Sequence, residues 1–274
     1  MLDAPKRFVG AVASGEEMMV ASKGTLRSEL GAAVAGGGSP LAVADRLCLA
    51  CVALMDVDGA AVSLIDGGST RGTFGSSGEL SRRLDEFQFT FGEGPCLDAV
   101  AGRHPVLVDD LRGTGGRRWP VFAGKALEAG ICAVFALPIA VASISVGALD
   151  LFRADAGPLT ADGLGGALWA AELAALPLFD LMTAPDLDAQ RYTESMDGWD
   201  QLASLQRVEV YQATGMLIGH LNVDGAEALV RLRAYAFAHG QTASEVARAI
   251  VERRIVLTTD EEWQRPGGRN EEAT

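Results

Sequence analysis

Positive charge is what this chain has too little of. Its 274 residues carry a formal net charge of -13. That excludes a general attraction to nucleic acid or anionic membrane and confines any nucleic-acid role to a local patch. Cysteine is scarce as well: Cys48, Cys51, Cys96 and Cys132 are the four, too few at this length for a disulfide framework. The start, MLDAPKRF, lacks the apolar core of a signal peptide, so the expected location is the cytoplasm. The sequence contains no P-loop, no G-x-G-x-x-G after a strand and no G-x-S-x-G, and His104, His220 and His239 are scattered. No nucleophile–base pair is readable, so no catalytic residue is assigned. Asp109-Asp110 is followed by neither a receiver pattern nor its lysine, which argues against a phosphorylation switch.

Long apolar runs are equally limited. The longest uncharged one, Ile131 to Leu149, holds Pro138, Ser143, Ser145 and Gly147 among β-branched residues. It reads as two buried strands with a turn near Ala142, not as a membrane helix. Cys48 and Cys51 lie one helical turn apart on an apolar stripe, with no second pair or histidine nearby. They read as small hydrophobes, and no metal site is expected. Cys96 follows Gly94-Pro95 at a helix start, where a thiolate would be stabilised, although a buried structural thiol is the simpler reading.

What is present fits a packed protein of two domains, with 49% apolar and 22% charged residues. Helical spacing covers Ser14 to Ala35 and Pro40 to Asp56, separated by Gly36-Gly37-Gly38. Strands are expected at Ala60–Asp66, near Thr73–Ser76, at Pro105–Leu111, Ile131–Ala140 and Ser143–Phe152. Helices are expected at Gly94–His104, Trp119–Ala129 and Thr160–Leu176, while Leu80–Phe91 is ambiguous. The expected fold is therefore α+β, a central, mostly antiparallel sheet flanked by helices, followed by a small all-α unit. The expected divisions are an N-terminal helix and joint (1–39), a sheet domain (40–182), a connector (183–204), a three-helix unit (205–257) and a disordered tail (258–274).

The three-helix unit contains "EVYQATGMLIGHLNV", which has glycine at 215 and 219. Each interior glycine costs a helix about 1 kcal/mol relative to alanine. Gly215 and Gly219, with Ala213, are expected to allow a close crossing against the alanine-rich second helix. That helix should start at Asp224 and the third at Thr242. Glu227 and Glu245, three residues on, would complete capping boxes.

"VYQATGML", "AEALVRLRAYA" and "SEVARAIVERR" together resemble the ANTAR domain, a three-helix RNA-binding unit of bacterial antitermination regulators. "FGEGPCLDAV", "WPVF" and "GALDLF" resemble, more loosely, a GAF domain. The whole chain is similar to the GAF–ANTAR proteins of actinobacteria. The resemblance implies a dimer that binds paired hairpins in a nascent leader transcript and so prevents a terminator from forming. Between Gln206 and Leu257 six arginines face five carboxylates, so the unit is near neutral within an acidic chain. The RNA-contact candidates are Arg207, Arg231, Arg233, Tyr235, Arg253 and Arg254, since phosphates need cations and bases need planar groups. Thr214 stands where many ANTAR domains have lysine, which removes a phosphate contact.

For the sheet domain the resemblance implies a small-molecule or protein signal, with no cofactor required by the sequence. Phe89, Cys96, Trp119, Phe122 and Phe135 could line a pocket, or simply pack the core. Leu164, Leu168, Ala171, Ala175, Leu178 and Met182 form a seam suited to pairing in a homodimer, interrupted or kinked at Pro177. Two other functions stay open: a dimerisation or docking module without RNA, and a GAF-type thiol reductase using Cys96 and Cys132.

Overall fold

A computed structural model gives the fold and describes residues 15–66, 69–113, 116–141, 143–183, 207–257 and 263–264. Five strands form one sheet: β1 (Gly59–Asp66), β2 (Ser69–Ser76), β3 (Val106–Val108), β4 (Ala133–Val141) and β5 (Ile144–Arg153). Their order is β2-β1-β5-β4-β3, and every neighbouring pair is antiparallel. The uncharged run folds as the β4–β5 hairpin, with Val141 paired to Ile144.

Both faces of the sheet are covered, so its central strands are apolar on both sides. On one face lie α1 (Gly15–Ala35), α2 (Pro40–Leu54) and α6 (Ala161–Thr183). They close a core containing Leu30, Leu47, Val62, Phe135, Leu149, Leu151 and Leu178. Helix α2 lies so close to β2 that a Cβ on Gly75 would stand 2.7 Å from the Ala44 carbonyl carbon. On the other face lie α3 (Glu79–Phe91), α4 (Pro95–Gly102) and α5 (Pro120–Glu128), over Leu84, Phe87, Phe122, Ile131 and Phe152. This is the α+β architecture expected, a central antiparallel sheet flanked by helices.

Three expectations change. The ambiguous Leu80–Phe91 is the helix α3. Leu80, Leu84, Phe87 and Phe91 keep a helical period, but Phe87, Phe89 and Phe91 also alternate as in a strand, and the helix buries Ser81, Asp85, Gln88 and Thr90 beside its aromatics. Helix α6 is not interrupted at Pro177 but continues to Thr183, although proline forfeits one hydrogen bond there. Of the pairing seam, Ala171 and Leu178 belong to the sheet domain's own core, while Leu168 is exposed. The side chain of Met182 and, apart from Thr183, the 183–204 connector lie outside the described residues.

The C-terminal unit is α7 (Val208–Leu221), α8 (Gly225–Ala238) and α9 (Ala243–Val251). Local chemistry fixes its ends. Asp224 accepts from the Glu227 amide, and Thr242 with Glu245 makes a complete capping box. Glu227 does not reach back; its carboxylate accepts from Arg231 instead. Val210, Ala213, Leu217, Leu232, Ala236, Val246, Ala247 and Ile250 meet inside. Ala213 is thus at a helix contact, but Gly215 and Gly219 are not. Both are exposed, and among the described residues nothing lies within 4 Å of where a Cβ would stand. The expected close crossing through these glycines does not occur, because they lie off the buried stripe of Val210, Ala213 and Leu217. In the tail, Trp263–Gln264 (β7) pairs with Val256–Leu257 (β6); the rest of 258–274 is outside the described residues.

Candidate functional site

Helix α3 organises the second face through buried polar side chains. Gln88 Nε2 donates to Asp150 Oδ2 at 2.7 Å, and Gln88 Oε1 accepts from the Cys96 amide at 2.9 Å. Gly94 makes room for this, since a Cβ there would fall 2.3 Å from Gln88 Oε1. Burial pushes the Asp150 carboxyl from its ordinary 3.8 up to about 8; the Gln88 hydrogen bond opposes this and the Asp85 charge adds to it. Burial also raises the Cys96 thiol well above its usual value, helped by the charges of Asp150 and Asp85. Cys96 is thus buried, as the simpler reading of the sequence had it, and its surroundings work against a thiolate.

The GAF-like motifs are clasped to one another. Glu93 Oε1 accepts from the Val121 and Phe122 amides at 2.8 and 2.9 Å, so it caps the first turn of α5 from a distant part of the chain. Asp98 Oδ2 accepts from Trp119 Nε1 at 3.1 Å and Arg118 Nη2 at 2.6 Å. These contacts explain "FGEGP…D" and "WPVF" as structure.

The five pocket candidates do not converge. Phe135 faces the α1–α2–α6 layer, whereas Trp119 and Phe122 lie in the opposite one. Cys96 packs with Ile65 and Ala148, and Phe89 points into the C-terminal core. Strand alternation and helical facing separate side chains that are near in sequence or alike in type. A cleft of about 450 Å³ lies elsewhere, between α1 and α6, lined by Leu26, Arg27, Asp162 and glycines. Among the described residues no group of three His, Cys, Asp or Glu side chains could hold a metal ion.

The densest arrangement is where the C-terminal helices sit on α3. Arg207, at the start of α7, is buried with 4% of its side chain exposed. Its Nε donates to Glu86 Oε2 at 2.9 Å, its Nη2 to Asp85 Oδ2 at 3.2 Å and its Nη1 to the Thr70 carbonyl at 3.2 Å. The guanidinium carbon lies 4.0 Å from the Phe89 ring centre. Asp85 also accepts from Ser63 Oγ at 2.5 Å and Thr73 Oγ1 at 2.6 Å, so strands β1 and β2 hold the carboxylate in place. Burial alone would lower the Arg207 pKa, but the Glu86 and Asp85 charges outweigh it and raise it. The backbone of Arg207 is left-handed at φ 46° and ψ 56°, a conformation that costs a non-glycine residue about 1 kcal/mol.

The start of α9 is fastened to the same helix. The Ala243 amide donates to Thr90 Oγ1 at 2.9 Å, and the Ser244 amide to Glu86 Oε1 at 3.2 Å. These are amides that a helix cannot satisfy within itself. Arg233 of α8 lies 4.5 Å from the Phe89 ring centre, and Phe237 meets Phe91 edge-on at 6.2 Å. Burial, and then the charge of Arg207, lower the Arg233 pKa. Arg71 Nη1 donates to Tyr211 Oη at 2.7 Å.

The six RNA-contact candidates therefore do not share one open face. Arg207 is inside and Arg233 is half-buried against Phe89. Arg231 pairs with Glu227 and Arg254 with Glu252, both at 2.6 Å. Tyr235 is half-buried and stacks on His239 at 3.8 Å. Arg253 is exposed, as is Arg248, which sequence reasoning did not select. It also missed Asp85, Glu86 and Thr90. The available signal was polar residues alternating with aromatics in "LDEFQFTF", which marks a helix packed on more than one side.

Residues 201–251 match the family model of the ANTAR domain. The chain carries an ANTAR domain. The sheet domain is similar to solved structures at low identity. The GAF domain of an Acinetobacter phosphoenolpyruvate-protein phosphotransferase is 11% identical, with 64% of this chain and 100% of that one covered and a TM-score of 0.48. Its counterpart from Coxiella burnetii is 14% identical, covering 62% and 99%, at 0.46. Free methionine-R-sulfoxide reductase from Neisseria meningitidis, in complex with its substrate, is 15% identical, covering 63% and 95%, at 0.48. No curated protein matches the chain. No helix among the described residues is long and apolar enough to cross a membrane.

Proposed function

We propose that the chain is a non-enzymatic cytoplasmic regulator, acting as a homodimer, whose ANTAR domain binds hairpins in nascent leader transcripts. Binding keeps a terminator hairpin from forming, so polymerase reads on. The sheet domain is its GAF-type sensor for a small-molecule or protein signal. The observation that carries this reading is the match of residues 201–251 to the ANTAR family. The phosphate contacts fall to the arginines that remain at the surface: Arg231, Arg248, Arg253 and Arg254. The carboxylate pairs of Arg231 and Arg254 are solvent-exposed, and such pairs are worth at most about 1 kcal/mol, so a phosphate can replace the partner. Thr214 adds no contact of this kind, because its hydroxyl donates to the Val210 carbonyl at 2.7 Å on its own helix.

A filter-binding titration of the full chain with hairpin RNA across several salt concentrations tests the reading. Affinity should fall steeply with salt, and replacing Arg253 and Arg254 by alanine should flatten that dependence by about one contact each. Absence of retained hairpin at low salt would overturn it. The second reading, a docking module without RNA, is favoured by the inward engagement of Arg207 and Arg233, and the same titration decides between the two. A thiol reductase is disfavoured by the burial and raised pKa of Cys96.

A further inference from the structure

We infer that the seat of the ANTAR domain on α3 is an autoinhibitory latch, with Arg207 as its bolt. The inference rests on the RNA-binding reading for what the latch controls, but not for the latch itself. Three contacts converge on α3, and a fourth comes from the neighbouring strand β2, which carries Arg71. Arg207 enters the Asp85–Glu86 carboxylates, the α9 amides reach Thr90 and Glu86, Arg233 covers Phe89, and Tyr211 takes a hydrogen bond from Arg71. The effect is to turn two of the domain's six arginines away from solvent.

The latch is built to be reversible. Glu86 is partly exposed, and two of the contacts are single hydrogen bonds from helix-end amides. Charge neutralisation rather than apolar area fixes the position of Arg207, and because its withdrawal leaves the buried Asp85 without a counter-charge, the open form needs a competitor to hold it. A phosphate backbone is the natural competitor, because it offers the same guanidinium bidentate acceptors without a fixed geometry. Helix α3 also carries Gln88, which bonds Asp150 and Cys96 inside the sheet domain. One rigid element therefore connects the domain's polar interior to the latch. The open form withdraws Phe89 from the C-terminal core, so it is the minor state until a ligand holds it.

The test uses the full chain with Glu86→Gln and Thr90→Val combined. Both changes lie on the sheet domain's side of the seat, so every arginine stays intact. Amide exchange at Ala243 and Ser244 is read beside that at Leu217 and Leu232, and hairpin affinity is measured in parallel. We expect at least about tenfold faster exchange at the first pair, retained protection at the second, and about tenfold tighter RNA binding. Glu86→Gln alone, the milder change, should move both readouts in the same direction. Unchanged exchange at Ala243 and Ser244 in the double variant overturns the latch. Faster exchange with unchanged RNA affinity overturns its control of RNA. Faster exchange with no RNA bound by either chain supports the latch and overturns the RNA reading.

Discussion

The sheet domain and the ANTAR domain fill their interiors differently. The sheet domain has two apolar layers, each supplied with its own aromatics: Phe74 and Phe135 on one side, Phe87, Trp119, Phe122 and Phe152 on the other. The ANTAR interior contains buried alanine, valine, leucine and isoleucine, and among the described residues its one buried aromatic is Phe89, which belongs to α3 of the other domain. A unit of three short helices buries too small a fraction of its surface to be robust alone. The difference teaches that the ANTAR domain, as folded here, is completed by its neighbour. The seat on α3 is part of its core as well as a contact.

Three experiments press on that contrast, in decreasing order of effect. Phe89→Ala should cost about 3–5 kcal/mol, and the loss should appear in the ANTAR domain. Denaturant melting followed by segment-resolved exchange should show α7–α9 opening first, with β4 and β5 unaffected; equal weakening of the sheet would mean that the two interiors are one.

The second experiment concerns the polar interior of the sheet domain, where Asp150 is fully buried. Asp150 holds its proton up to about pH 8 in the folded state against an ordinary 3.8. Between those values the folded chain binds a proton that the unfolded chain has released. Stability therefore falls as pH rises through the window, by up to about 1.4 kcal/mol per pH unit. Urea unfolding across that range should show the decline, and Asp150→Asn should flatten it. A variant with the same slope as the parent would remove Asp150 as the cause.

The smallest effect belongs to α7. Among the described residues Gly215→Ala and Gly219→Ala meet nothing within 4 Å, so each should stabilise the ANTAR domain by about 1 kcal/mol. A drop in midpoint for either would show a neighbour at those positions.

These cases also mark what the sequence made legible. The β4–β5 hairpin and the Thr242 capping box were readable, because strand composition and cap chemistry act over a few residues. Helix α3 was not, since Phe87, Phe89 and Phe91 set a strand-like alternation beside the helical spacing of Leu80, Leu84, Phe87 and Phe91. The glycines misled for a related reason: propensity gives the cost of Gly215 and Gly219 but does not say what lies beside them. The pairing of Arg207 with Asp85 spans 122 positions, a distance at which one sequence carries no signal. The pocket candidates pack separate parts of the core, the other outcome their aromatic character allowed, because residue type does not give facing.

The aromatic lent by residue 89 has a practical side. A fragment cut at residue 205 would retain both helix caps and all six arginines, but it would begin with a guanidinium stripped of its counter-charges and carry an apolar notch where the ring had been. Such a piece invites self-association through the notch and indiscriminate adhesion to polyanions through the bare cation. Both would pass for activity in an assay of the isolated helices.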